Sequence, residues 1–127
     1  MIARQRKWLM IASTIGFMCV VFGAFAAHAL KGALTEAAQH QFELGVRYAF
    51  IHAMAMIATA FSQPFAGRPE HLESAARLFL LGIVLFSGSL LLLAITGVKY
   101  FVYFTPLGGL AFLAGWLYLG LSMRAKQ

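Results

Sequence analysis

Four long apolar stretches dominate this sequence and restrict what it can fold into. They occupy residues 8–30, 46–62, 76–97 and 106–123. A bilayer with a hydrocarbon core of about 30 Å is crossed by roughly 17–25 helical residues; the first, third and fourth stretches fit this length, and the second is short but can extend at either end. The mean hydropathy of +0.81 and the 11% share of charged residues are typical of the same class. The sequence therefore predicts an all-α integral membrane protein, with four transmembrane helices in one domain of 127 residues.

The first apolar stretch also resembles a secretory signal peptide, because basic residues precede it and small residues recur near its end. A signal peptide has an apolar core of about 7–15 residues. Here the uncharged run extends from Trp8 to Ala27, which exceeds that length. A transmembrane helix that stays in the protein is therefore favoured.

Two of the connectors carry signals for helix boundaries. The Thr35 hydroxyl suits an N-cap, because it can accept a bond from the first turn of a helix that begins at the next residue. Residues 36–45 then either continue into the second span or form a helical extension along the membrane surface, with Gly45 at the bend. Thr105 and Pro106 predict the N-cap and the first helical position of the fourth helix.

The positions of lysine and arginine predict the orientation of the chain. If the N-terminus is cytoplasmic, the cytoplasmic segments carry Arg4, Arg6, Lys7, Arg68, Arg77, Arg124 and Lys126. The segments on the other side carry Lys31, Arg47 and Lys99. Seven basic residues against three favour both termini in the cytoplasm, because basic residues accumulate on the cytoplasmic side.

Small and polar residues recur in every span at seven-residue spacing, or at alternating spacings of three and four. The positions we select for helix packing are Gly16, Gly23, Gly82, Ser89, Thr96, Gly108 and Gly115. A period of 3.5 residues imposes a left-handed supercoil, and small residues let helices in lipid approach closely. We therefore predict a left-handed four-helix bundle with these positions facing inward. The opposite face of the second helix, which we expect to face lipid, carries Val46, Phe50, Ile57 and Phe61.

A cluster of polar side chains is predicted in the outer third of the bundle: His28, Glu43, Arg47, Tyr48 and His52. Ionisable residues near spans are functional candidates. Glu43 and Arg47 have the spacing of an ion pair on one helix. The favoured interpretation is structural, since polar side chains also hold membrane helices together. Two alternatives stay open: a path for protons or small solutes along His52, Tyr48 and Glu43, and a metal or haem held by His28 and His52.

Several function classes find no support in the sequence. The net charge of +6 comes from scattered basic residues, which argues against nucleic-acid binding. Cys19 is the only cysteine, so there is neither an intrachain disulfide nor a cysteine metal motif. The chain lacks the serine-hydrolase and zinc-protease motifs, and no paired carboxylates have catalytic spacing. We therefore predict no enzymatic activity, no catalytic residue, no cofactor and no metal.

Four motifs resemble, in order, those of a known family. They are "GAFAAHAL" (23–30), "YAFIHAMAM" (48–56), "LFSGSLLLLAITG" (85–97) and "TPLGGLAFLAGW" (105–116). They are similar to the signatures of the uncharacterised YgdD/YwdK-like small membrane proteins, whose eukaryotic relatives are called transmembrane protein 256. The resemblance implies a multi-pass protein of the bacterial inner membrane, with a loose link to membrane integrity and no defined reaction.

Two hypotheses for function follow. The first is a non-enzymatic bundle in the lipid bilayer that associates with itself, as a homo-oligomer, or with a larger membrane complex, and so supports assembly or membrane integrity. The second is a small transporter or channel component with a polar path near His52 and Tyr48.

Overall fold

The computed structural model describes residues 2–126 as long helices with short connectors. The α-helices are α1 Ala3–His28, α2 Glu36–Phe61, α3 Glu70–Gly82, α4 Gly88–Thr96 and α5 Phe104–Ser122. A π turn, Ile83–Ser87, joins α3 to α4, and 3₁₀ turns occupy Gln63–Phe65 and Lys99–Tyr103. Four helical segments are long and apolar enough to cross a membrane: Ala3–His28, Glu36–Phe61, Glu70–Thr96 and Lys99–Ser122. The prediction of an all-α protein with four transmembrane helices is confirmed.

The helix boundaries follow the sequence signals at one connector and depart from them at another. Thr35 is the N-cap of α2, and its hydroxyl accepts a bond from the Ala38 amide at 3.1 Å. The predicted cap at Thr105 is wrong, because the 3₁₀ turn runs directly into α5 and the helix begins at Phe104. Pro106 is tolerated there because the first amides of a helix have no partner within the helix.

Helix α2 is continuous from Glu36 to Phe61, so residues 36–45 run into the second span without a break. Gly45 is buried and allows a close approach: an added Cβ would lie 2.5 Å from the Leu91 side chain and 3.2 Å from the Ser87 carbonyl oxygen. A bend at Gly45 stays a prediction. This residue brings the backbone of α2 against the span formed by α3, the π turn and α4.

Helix α2 lies at the centre of the helix packing. Helix α1 packs along one side of it, and the α3–α4 span packs along the other. Helix α5 packs against α3 and the π turn. The apolar core includes Phe42, Met56 and Phe79, which are fully buried. Val46 and Ile57 are half-buried against the core, so the prediction that they face lipid is wrong; Phe50 and Phe61 are exposed.

The start of α1 and the end of α5 lie at one end of the bundle, beside the connector between α2 and α3. The Gln5 side-chain amide donates to the Ala60 carbonyl at 2.9 Å, which ties the start of α1 to the end of α2. The Arg68 amide donates to the Ser122 carbonyl at 2.9 Å, which ties the connector to the end of α5. The side of the membrane on which this end lies stays a prediction, and so does the handedness of the bundle.

Glycines and phenylalanines interlock where α5 meets the α3–α4 span. An added Cβ at Gly82 would overlap the Phe112 ring, and one at Gly115 would lie 2.7 Å from the Phe79 ring. Gly108 lies against the backbone of Phe86. Each glycine therefore makes room for an aromatic residue of the facing helix, which is the close approach that small residues allow in membrane helices.

The other predicted packing positions differ among themselves. Ser89 is buried and bonds across to α5, whereas Gly23 has Val46 at ordinary contact distance. Gly16 and Thr96 do not serve the predicted role. A Cβ at Gly16 would meet nothing within 4 Å, and Thr96 is exposed with its hydroxyl bonded to the Leu92 carbonyl at 2.6 Å.

Candidate functional site

His52 is the most deeply placed of the five polar residues selected from the sequence. Its side chain is 4% exposed. The ring nitrogen Nδ1 lies 2.7 Å from the Tyr48 carbonyl oxygen, one turn earlier in α2. The other nitrogen, Nε2, accepts a hydrogen bond from the indole Nε1 of Trp116 at 3.1 Å. Because a carbonyl only accepts and an indole only donates, this pattern requires the neutral imidazole with its proton on Nδ1.

Aromatic rings enclose the His52 imidazole. The Phe112 ring stacks on it, with centroids 3.5 Å apart and planes 9° apart. Phe79 lies at 5.7 Å and Trp116 at 5.9 Å between ring centroids. Gly82 and Gly115 make the space that two of these rings occupy. Both nitrogens and one face of the imidazole are therefore engaged within the bundle, as is usual for a buried polar group that stabilises a fold.

The structure keeps Tyr48 beside His52 but does not assemble the rest of the predicted cluster. The Tyr48 and His52 rings are 6.1 Å apart, and Tyr48 also packs on Phe86 at 4.8 Å. His28 and Arg47 are exposed. His28 lies near the end of α1, whereas His52 is buried among the side chains of α2, α3 and α5. The structure therefore does not bring the two histidines together as a pair of ligands.

The predicted ion pair between Glu43 and Arg47 is not formed. The Gln39 side-chain amide donates to the Glu43 carboxylate at 2.9 Å and to the Ala26 carbonyl at 2.8 Å. The amide thereby links Glu43 to α1 and engages one of its oxygens. Within residues 2–126, Arg47 makes no ion pair.

Sequence reasoning missed several polar contacts between helices. Trp116 was not recognised as the partner of His52. The indole of Trp8 donates to the Glu73 carboxylate at 2.8 Å, and the same carboxylate pairs with Arg4 at 3.7 Å and Arg77 at 3.3 Å. The hydroxyls of Ser89 and Thr105 lie 2.6 Å apart. Residue spacing within one helix does not predict contacts between different helices. Only the Glu73–Arg77 pair, four residues apart in α3, could be predicted from the sequence.

An apolar cleft opens between α1, α2 and the π turn, with a volume of about 280 Å³. Its lining includes Cys19, Val46 and Gly88. The Ser87 hydroxyl also borders it, is 4% exposed and has no hydrogen-bond partner among residues 2–126. The cleft offers an apolar surface, and its lining includes no carboxylate, amine or imidazole.

The family described as "Protein of unknown function (DUF423)" matches residues 22–109. That range contains α2, α3, α4 and the larger part of the four motifs noted in the sequence. The chain belongs to this family.

Curated relatives of the DUF423 chain match over nearly its whole length. The UPF0382 membrane protein of Haemophilus influenzae is 38% identical over 124 residues, which cover 97% of this chain and 98% of the relative. The UPF0382 inner membrane protein YgdD of Escherichia coli K12 is 36% identical over 97% of this chain and 94% of the relative. The UPF0382 membrane protein YwdK of Bacillus subtilis is 32% identical over 89% of this chain and 92% of the relative.

These matches confirm the resemblance to YgdD and YwdK. They also confirm the predicted location, since the relatives are named membrane or inner membrane proteins and this chain has four helices that can span a bilayer. The protein is a multi-pass protein of the bacterial inner membrane. No solved structure matches the chain. Neither the family description nor the names of these relatives state a reaction.

Proposed function

We propose that this protein is a non-enzymatic accessory bundle that supports a larger membrane assembly or the integrity of the membrane. The observation that carries the proposal is the state of His52. Among the histidine, lysine, arginine and carboxylate side chains of residues 2–126, it is the one buried in the core, and both of its nitrogens are bonded within the bundle. A group used in this way stabilises helix packing and leaves no free nitrogen for catalysis or for a metal.

The remaining polar contacts support the same role. Trp8 with Glu73, Ser89 with Thr105, and Gln39 with the Ala26 carbonyl each join two different helices. Polar side chains that bond across helices add to the packing energy of membrane bundles. These polar side chains thus hold the helices of the bundle together.

The surface of the bundle supports an accessory role. Large apolar side chains are exposed along α1 and α5, for example Phe17 and Leu113 at 68% each. Lipid covers such faces, and so do the helices of other membrane proteins. A small bundle with wide apolar faces on two helices is suited to lateral contact with a larger complex.

The test is a pulldown of the tagged protein from native membranes in a gentle detergent, read by mass spectrometry. We expect a defined partner set at near-stoichiometric yield, and loss of those partners when the bundle is disrupted. Recovery of the protein alone, as a strict monomer at all concentrations, would contradict the proposal.

A second measurement addresses transport. Purified protein in sealed vesicles is expected to conduct neither protons nor small ions above the level of empty vesicles. The comparison uses His52→Gln, with the lipid-facing change Phe17→Leu as the control. A flux that His52→Gln abolishes and Phe17→Leu leaves intact would favour a polar path through the bundle and refute the accessory role.

A further inference from the structure

The outward face of α2 is polar in its first half and apolar in its second. Its exposed residues include Glu36, His40, Glu43, Arg47, Phe50, Met54 and Phe61, which we call the α2 stripe; Ile51 and Ala58 are exposed beside it. From Glu36 to Met54 the spacing alternates between four and three residues. This spacing is the heptad pattern of a helix that packs along a second helix. Within residues 2–126, the stripe lies opposite the sides of α2 that contact α1 and the α3–α4 span.

Two charged residues in the polar half of the α2 stripe, Glu43 and Arg47, lie more than one helical turn below the end of α1. The Phe42 ring meets the Phe22 ring of α1 edge to face, with centroids 6.3 Å apart. Phe22 lies six residues before His28, the last residue of α1, and six helical residues span about 9 Å. Glu43 is the neighbour of Phe42 and therefore lies at a similar depth below the end of α1.

Contacts on the other side of α2 give the same depth for Arg47. Gly45 lies against Leu91, five residues before α4 ends at Thr96. Arg47 follows Gly45 in a helix that runs from this end of the bundle toward the other. A charged side chain at such a depth is costly unless another charged or polar group pairs with it.

The two opposite charges in the α2 stripe, Glu43 and Arg47, do not pair with each other within one molecule. They can pair between two copies of the chain. Glu43 accepts from the Gln39 amide, and Arg47 makes no ion pair within the part of the chain that the structure describes. When two α2 helices lie parallel, Arg47 occupies an a position opposite Arg47 of the other copy, and its long side chain reaches back to the preceding d residue of that copy, Glu43. A two-fold axis makes this pair reciprocal, so two carboxylates meet two guanidinium groups.

We propose that the α2 stripe is the interface of a homodimer in the membrane. Glu43 and Arg47 of one copy pair with Arg47 and Glu43 of the second, and Phe50 and Met54 continue the contact toward the other end of the helix. The proposal rests on the proposed function, because it names a second copy of this chain as one partner of the bundle. It goes beyond that function by assigning the face and the residues that recognise the partner.

Cysteine crosslinking in native membranes tests the interface. Single cysteines are placed in a Cys19→Ala background at Phe50 or Met54 on the stripe, and as controls at Phe17 on α1 or Leu113 on α5. All four positions are between 46% and 68% exposed. With mild oxidant we expect covalent dimers from Phe50→Cys and Met54→Cys at several times the yield of either control. Equal yields at all four positions would overturn the proposal.

Charge substitutions in the Phe50→Cys background test the pairing itself. Glu43→Gln with Arg47→Gln is expected to lower the dimer yield several-fold, while Glu43→Arg with Arg47→Glu restores it by exchanging the two partners. An unchanged yield in the first variant, or no recovery in the second, would refute the ion pairs. A crosslinked product that contains a different polypeptide would refute the second copy as occupant.

The outcomes separate this proposal from the proposed function. A stoichiometric partner in the pulldown, without a dimer at Phe50→Cys, refutes the interface and leaves the accessory role standing. A dimer at Phe50→Cys, with no partner other than this chain and with a His52-dependent flux in vesicles, supports the interface and refutes the accessory role.

Discussion

Substitution of Gly108 by alanine tests the interlocking of glycine and phenylalanine between α5 and the π turn. The added Cβ would overlap the backbone nitrogen of Phe86 and lie 2.7 Å from its Cα and Cβ atoms. Backbone atoms cannot rotate away as the end of a long side chain can, so α5 must shift outward or the π turn must distort. Overpacking of a well-packed core typically costs about 1–3 kcal/mol, and a clash with backbone belongs in the upper half of that range.

Gly120, in the same helix, provides the matched control. A Cβ at Gly120 would meet nothing within 4 Å. Both substitutions gain the same helix propensity, about 0.5–1 kcal/mol for alanine over glycine, and this gain cancels when the two variants are compared. Gly108→Ala should therefore unfold at a free energy about 2–3 kcal/mol below that of Gly120→Ala. This difference corresponds to roughly a 30- to 150-fold change in the unfolding equilibrium constant.

Reversible unfolding in mixed micelles gives this difference. The fraction of denaturing detergent is raised stepwise, while far-ultraviolet circular dichroism follows helix content and tryptophan fluorescence follows the environment of Trp116. Gly108→Ala is expected to unfold at a lower detergent fraction than the parent, and Gly120→Ala at the same fraction or a higher one. If the two variants unfold together, the close approach of α5 to Phe86 does not exist and the interlocking is wrong.

Three further predictions use the same unfolding measurement. Thr35→Ala should destabilise the protein by about 1 kcal/mol through loss of the α2 cap, whereas Thr35→Ser should retain most of the stability. Glu73→Gln should cost less than Glu73→Ala, because the glutamine oxygen can still accept from Trp8 while the ion pairs to exposed arginines contribute little. In a double-mutant cycle, Ser89→Ala and Thr105→Val should couple by about 0.6 kcal/mol, the average for such bonds between membrane helices.

Each of these has a result that would count against it. Equal stability of the alanine and serine variants at position 35 would mean that the cap contributes nothing. Loss of stability in Glu73→Gln as large as in Glu73→Ala would assign the stabilisation to charge instead of the indole bond. Strict additivity of the Ser89 and Thr105 changes would show that their hydroxyls do not bond to each other.

The sequence was sufficient for those parts of the fold that depend on pattern within a single helix. The lengths of the apolar stretches predicted four spans. The seven-residue spacing of Gly82 from Ser89, and of Gly108 from Gly115, placed these residues on helix-packing faces. The Thr35 cap also depends on neighbours in sequence. In each case a local pattern reflects one physical requirement: bilayer thickness, close approach in lipid, or an unsatisfied amide.

The candidate site could not be predicted in the same way, because its contacts join residues far apart in the chain. His52 and Trp116 are 64 residues apart, and only the packing of α2 against α5 brings them together. Conversely, Glu43 and Arg47 have the spacing of an ion pair, yet Gln39 engages the carboxylate because its amide is anchored on α1. The 3₁₀ turn before α5 displaced the predicted cap at Thr105, because the helix starts two residues earlier than predicted.

The central claim is that His52 is held as a neutral imidazole with both nitrogens bonded inside the bundle. Nitrogen NMR of histidine-labelled protein in lipid at neutral pH tests it most directly, with Trp116→Phe as the comparison. We expect a His52 ring with its proton on Nδ1 and an unprotonated Nε2 whose signal shifts in Trp116→Phe. A ring with its proton on Nε2, or an Nε2 signal that is the same in both proteins, would contradict it.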